Sequence, residues 1–225
     1  GFRIVRERFA EPVPVKQGFA LIAKRLQGKN LPLQSFCACE LRSPGQFSDD
    51  GFRAFNKTYV VTLRDWGIMD DGPVNPVARS NVCPQADAPS EPGFHAFSYV
   101  VPEQGAHRPS AVISGSAEAR EPKSEGELYR DRIVRYQDTS ADGLREKVQH
   151  VVGEMERRLA LLGFAWKDTT AVQAYSVHDF HHVMDEMAQR GVSRNGLTWH
   201  FARPPVVGLD YEMDCRVVHQ ELIFE

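Results

Sequence analysis

Between residues 138 and 218 the hydrophobic period runs helical, extended, helical again, and then extended twice. That order admits only folds that alternate helices with strands. Thr139 is a candidate N-cap, with Asp142 three residues on to close a capping box. Leu144, Val148, Val151, Val152, Met155, Leu159 and Leu162 follow at steps of three and four, the stripe of one helix face. Gly163 stands where a left-handed C-cap falls. Residues 169–177 predict a β-branched strand. Asp179 caps a short second helix through residue 188, with Val183, Met184 and Met187 on its apolar side. Residues 197–201 and 211–218 predict two further strands. The last puts Tyr211, Met213, Cys215 and Val217 on one side and Glu212, Asp214, Arg216 and Val218 on the other.

The first half is less regular. It has a charged start interrupted by Pro12 and Pro14, and residues 19–26 read as a strand or as a helical turn. Residues 31–41 predict a strand. Phe55, Tyr59, Leu63 and Trp66 form a helical stripe over residues 52–66. Residues 75–82 lead into an edge strand or loop, and residues 94–101 predict a strong strand. Residues 102–109 form a linker. Beyond it come a strand at 111–119, a charged surface loop at 120–130 and a short edge strand at 132–136.

The 225 residues suffice for one large domain or two small ones. A net charge of −3, with arginines interleaved among acids, excludes a field that would recruit nucleic acid or an anionic membrane. No apolar run reaches bilayer length, and the charged start lacks a signal-peptide core, so a cytoplasmic location is the expectation. Cys37, Cys39, Cys83 and Cys215 match no zinc spacing and read as reduced, mostly buried thiols.

Val112-Ile113-Ser114-Gly115, Leu161-Leu162-Gly163, Asp168, Asp179-Phe180 and Tyr211-Glu212-Met213-Asp214 resemble, in order and spacing, the Rid family of reactive intermediate deaminases. The resemblance covers about residues 111–218. Ala78-Arg79-Ser80 is similar to that family's arginine segment, although His95 stands where a glutamate belongs in the first half. In the second half the family's arginine position falls at Leu197. The resemblance implies an α/β fold with α+β mixed sheets, built as tandem chorismate-mutase-like domains. One is a divergent domain at residues 1–101 and the other a fuller one at 111–225. The alternative is a single such domain behind an unrelated extension. It also implies a homotrimer or homohexamer, and the apolar strand at 94–101 suggests burial beyond one chain.

The activity implied is hydrolytic deamination of an enamine or imine carboxylate, without a cofactor. The run from Arg203-Pro204-Pro205 to Met213-Asp214 resembles the longer members that act on 2-aminomuconate and its chlorinated relatives. A chorismatase-like enol-ether hydrolase and a non-catalytic small-molecule-binding protein remain as alternatives.

For the site, the resemblance makes Glu212 the carboxylate that positions and activates water; otherwise it is a surface acid paired with Arg216. Arg79 and Arg203 are candidates to hold a substrate carboxylate. Arg203 is stiffened by Pro204 and Pro205 and suited to bidentate capture. Either arginine is otherwise a solvated residue. His200 offers a proton shuttle near neutral pH or a structural histidine. Ser114 and Glu118, on one strand face beside Gly115, lie where the family places substrate; otherwise this is an ordinary strand. Ser114 is not a hydrolase nucleophile, because G-x-S-x-G is absent. His178, His182 and Glu186 are spaced by four, but H-E-x-x-H is missing and Asp179 serves as a cap, so no metal is expected. Residues 145–158, alternating in charge, predict a solvated helix face.

Overall fold

A computed structural model describes residues 1–72, 74–105, 108–121 and 125–224. Along the chain run β1 (Phe2–Pro14), α1 (Val15–Gly28), β2 (Phe36–Arg42), α2 (Asp49–Asp65), β3 (Ala78–Pro84) and β4 (Gly93–Pro102). The second half has β5 (Ala111–Ala117), α3 (Tyr129–Arg132), α4 (Ala141–Leu161), β6 (Ala171–Tyr175), α5 (Met184–Gln189), β7 (Thr198–His200), β8 (Ala202–Arg203), β9 (Glu212–Val217) and β10 (Glu221–Phe224). Residues 106–107 of the expected linker and 122–124 of the expected surface loop lie outside the described residues.

Two mixed sheets result, with strand orders β10-β1-β4-β2-β3-β8 and β5-β9-β6-β7. Each contains a first, last, second, third order from its own half of the chain, with the last strand antiparallel to both neighbours. The expectation of tandem chorismate-mutase-like domains does not hold. β8 and β10, both from the second half, bond into the first sheet, β8 against β3 and β10 against β1. The sheets are therefore unequal and interlocked by their strands.

Helices cover the outer faces. Phe19, Ile22 and Leu26 of α1 and Tyr59 and Leu63 of α2 pack on Val5, Phe36, Leu41, Phe94 and Phe97 of the first sheet. Val148, Val151, Val152, Met155 and Leu159 of α4 pack on Val172, Ala174, Met213 and Cys215 of the second. The α4 stripe thus points as its spacing predicts, except that Leu162 stays exposed. Its cap is Ser140 rather than Thr139: Ser140 Oγ accepts from the Gly143 amide at 3.2 Å. Gly163 adopts φ 78°, the left-handed conformation that ends the helix.

The inner faces meet through charge. Arg6 donates twice to Glu40, at 2.6 and 2.9 Å, and once to Glu221 at 3.1 Å. Arg216 reaches Glu221 at 2.6 Å and Glu40 at 3.9 Å, crossing from one sheet to the other. Side chains between two sheets are as dry as those under a helix. Glu212, Asp214 and Arg216 are accordingly buried along with Met213, Cys215 and Val217.

This explains several departures from the sequence reading. The charged start is β1, whose Arg6 and Glu7 are buried among ionic partners. Residues 19–26 lie inside helix α1. β3 is interior, between β2 and β8. Residues 132–136 form no strand; α3 ends there and only Ile133 bridges to Ala119. Phe94, Phe97 and Tyr99 are buried within the chain, so that strand gives no reason for a trimer. No helix among the described residues is long and apolar enough to cross a membrane.

Candidate active site

A cleft of about 740 Å³ opens beside the junction of the two sheets, lined from β3, β5, β9, α2 and α4. At its floor stands Glu212, the first residue of β9 and 4% exposed. Its neighbour β5 carries a register break between Ile113 and Ser116, so Ser114 and Gly115 form a bulge. Gly115 matters for its missing side chain. A Cβ there would run into Glu212 Oε1 and would press on Ser80.

No hydrogen bond or ion pair engages the Glu212 carboxyl among the described residues. Burial pushes it well above the usual carboxylate range, and the charges of Asp214 and Glu118 add to that. Arg79 and Arg42 pull the other way without prevailing. Asp214, two residues on and on the same face, accepts from Gln173 Nε2 at 2.8 Å and the Tyr175 hydroxyl at 2.9 Å.

Arg79 borders the same cleft from β3. Its guanidinium lies 5.0 Å from the Tyr59 ring and 5.5 Å from the Phe52 ring, both on α2. Such cation–π contacts hold a planar cation without neutralising it. No carboxylate pairs with it among the described residues. Its backbone N–H donates to Ser114 Oγ at 3.3 Å, tying β3 to the bulge.

The other candidates sit elsewhere. Arg203 is on β8, paired with Cys83, and does not line the cleft. Glu118 is fully buried and already engaged: Lys147 lies 3.2 Å away, and the amides of Asp210 and Tyr211 donate to it at 2.6 and 3.1 Å. It anchors the turn that leads into β9. Lys147 also reaches Asp210 at 3.0 Å and is wholly buried, so residues 145–158 are not simply a solvated face. From the same helix Arg158 donates to the Ser114 carbonyl at 3.2 Å, bracing the bulge. His200 stacks on Tyr175 and bonds Gln173 at 3.1 Å. Burial and Arg42 push it down to about 4, and it does not line the cleft. His178 pairs with Asp210, His182 with the Ala141 carbonyl, and Glu186 with Arg145 and Gln149. The three side chains thus have three different sets of partners.

Sequence reasoning missed the brace around Arg79. Phe52 and Tyr59 carry the spacing of a helix core, and spacing does not tell a ring packed on leucine from one packed on a guanidinium. The alternation of β9 did place Asp214 on the Glu212 face, but not its partners Gln173 and Tyr175.

Fold and site together define an α/β protein that places a buried carboxyl and, among the described residues, an arginine without a carboxylate partner in one cleft. The chain belongs to the family described as 2-aminomuconate deaminase CnbZ, which matches residues 1–222. The match is to this family rather than to Rid proteins at large. The chain is 48% identical to the 2-amino-5-chloromuconate deaminase of Comamonas testosteroni over 225 residues, 99% of this chain and 88% of that one. Among solved structures it is similar to a chorismatase, with a TM-score of 0.52 at 14% identity, over 96% of this chain and 74% of the other. That likeness concerns the fold alone, and it is the finding that replaces the tandem chorismate-mutase-like assignment. A cyanuric acid hydrolase, described as an innovation by structural concatenation, aligns with a TM-score of 0.47 at 10% identity, over 96% of this chain and 67% of the other.

Proposed function

We propose that the chain deaminates 2-aminomuconate or a chlorinated relative, with Glu212 as the acid–base residue and Arg79 as the carboxylate anchor. The observation that carries the reading is the pairing of an arginine without a carboxylate partner among the described residues with a buried carboxyl in the same cleft.

The chemistry follows from the substrate. An enamine is nucleophilic at carbon and inert to water until that carbon is protonated. Glu212, holding its proton, delivers it to the carbon chain, and the C–N unit becomes an iminium. Water then adds to the iminium carbon and returns a proton to Glu212. The carbinol hydroxyl gives its proton to nitrogen, the C–N bond breaks, ammonia departs and a ketone remains. Enamine and water are consumed, ketone and ammonia are formed, and Glu212 ends as it began. A raised carboxyl suits the first step, because a general acid works best near the operating pH. Arg79, held against two rings of α2, fixes the substrate carboxylate without reorganising as it binds.

The test is ammonia release from 2-aminomuconate by the wild-type protein, scored against spontaneous hydrolysis. A rate well above background supports the reading. A rate equal to background, with 2-aminomuconate and its 5-chloro analogue alike, ends it.

A further inference from the structure

Asn81 carries a buried donor that nothing accepts among the described residues. It stands on β3 two positions beyond Arg79, is 3% exposed, and borders the same cleft as Arg79 and Glu212. Its Oδ1 accepts from the Ser43 hydroxyl at 2.9 Å, and Ser43 is itself fully buried. That bond decides which way the amide faces, with the carbonyl toward Ser43 and Nδ2 left over. Nδ2 has no partner. Turning the amide over does not help. It would orphan Oδ1 instead and leave the Ser43 hydroxyl without the acceptor it now has.

A buried N–H without an acceptor costs about as much as a lost hydrogen bond, and native interiors keep few of them. One that borders a cleft is accounted for by a ligand that comes and goes. Residues i and i+2 of a strand share a face, so Arg79 and Asn81 present a cation and a neutral donor to the same side. We propose that Asn81 is a substrate-binding residue whose Nδ2 donates to the carboxylate that Arg79 holds. This inference rests on the reading of the cleft as a carboxylate site. A neutral second donor has a physical advantage there. It adds direction to anion binding without adding a positive charge beside Glu212, whose proton a second cation would help to remove.

Equilibrium binding of muconate, a six-carbon dicarboxylate with no amine to lose, separates recognition from turnover. Asn81→Leu should raise the Kd for muconate, and the KM for the amino substrate, by roughly tenfold to a hundredfold, with kcat much less affected. Asn81→Asp, which sets like charges against each other, should be worse than Asn81→Leu in both. Ser43→Ala, which lies outside the cleft lining, frees the amide to turn and should weaken muconate severalfold. Wild-type affinity in Asn81→Leu, while Arg79→Ala loses it, overturns the inference and leaves the carboxylate site standing. Should Asn81→Leu not fold, unchanged affinity in Ser43→Ala overturns it instead. If wild type binds no muconate, or if Arg79→Ala binds it as wild type does, the carboxylate reading itself fails and takes this inference with it.

Discussion

The carboxyl of Glu212 rests against the bare Cα of Gly115, in the space where any other residue would carry its Cβ. The two belong to neighbouring strands, β9 and β5, and Gly115, within the bulge, borders the cleft together with Glu212. The site is therefore defined by a side chain that is absent as much as by those present.

Gly115→Ala tests this contact. The added methyl must displace the Glu212 carboxyl and press on Ser80, a small overpacking that costs about 1–3 kcal/mol. The protein should fold with a lowered Tm, and kcat should fall by about tenfold or more, since a proton donor displaced by an ångström delivers poorly. A kcat equal to wild type would show that the Glu212 position is not critical.

Glu212 should also leave a signature in stability. Its folded-state carboxyl is raised above the ordinary 4.5, so the folded protein holds a proton that the unfolded chain releases. Stability from this group is complete below about pH 4.5 and declines as pH rises from there toward the folded value. Glu212→Gln removes the titration. It should be more stable than wild type at neutral pH, with a gap that widens between pH 5 and 8, as read by urea unfolding at several pH values. A gap independent of pH would contradict the raised carboxyl.

Glu40 should behave with the opposite sign. Burial works against its charge, but Arg6, Arg42 and Arg216 hold its carboxyl below the usual range. Its contribution is complete above about pH 4.5 and is lost as pH falls from there. Glu40→Gln leaves buried cations without their partner and should cost about 3–5 kcal/mol at neutral pH. That deficit should shrink in acid, where wild type loses the same stabilisation.

The two arginines separate by position. Arg79→Ala should raise KM for the amino substrate roughly tenfold to a hundredfold, the contribution of one charge-assisted contact, about 1.5–3 kcal/mol. Arg203→Ala, on β8 and away from the cleft lining, should leave KM within about twofold. Steady-state kinetics of both variants, side by side, check the assignment. A larger effect from Arg203 would reverse it.

How much of this was legible in the sequence follows from what periodicity can encode. The α4 stripe from Leu144 to Leu159 and the α2 stripe of Tyr59 and Leu63 were readable, because a helix face is set by local spacing. The alternation of β9 was readable too, but its meaning was not. Glu212, Asp214 and Arg216 look the same in sequence whether their face meets water or a second charged sheet. For the same reason β1 was hidden: Arg6 and Glu7 mark a solvated segment unless Glu40, Arg25 and Tyr99 are known to wait for them. The candidate site divided along the same line. Glu212 and Arg79 border one cleft, whereas Glu118 is occupied by Lys147, a partner 29 residues away that no spacing rule connects to it.

The most direct test of the central claim is the turnover of 2-aminomuconate by Glu212→Gln. The substitution keeps the shape of the side chain and removes its ability to give and take a proton. With ammonia release measured against spontaneous hydrolysis, kcat should drop by roughly 100-fold or more, while muconate binds as in wild type. Deamination by Glu212→Gln at the wild-type rate would contradict the role assigned to this residue.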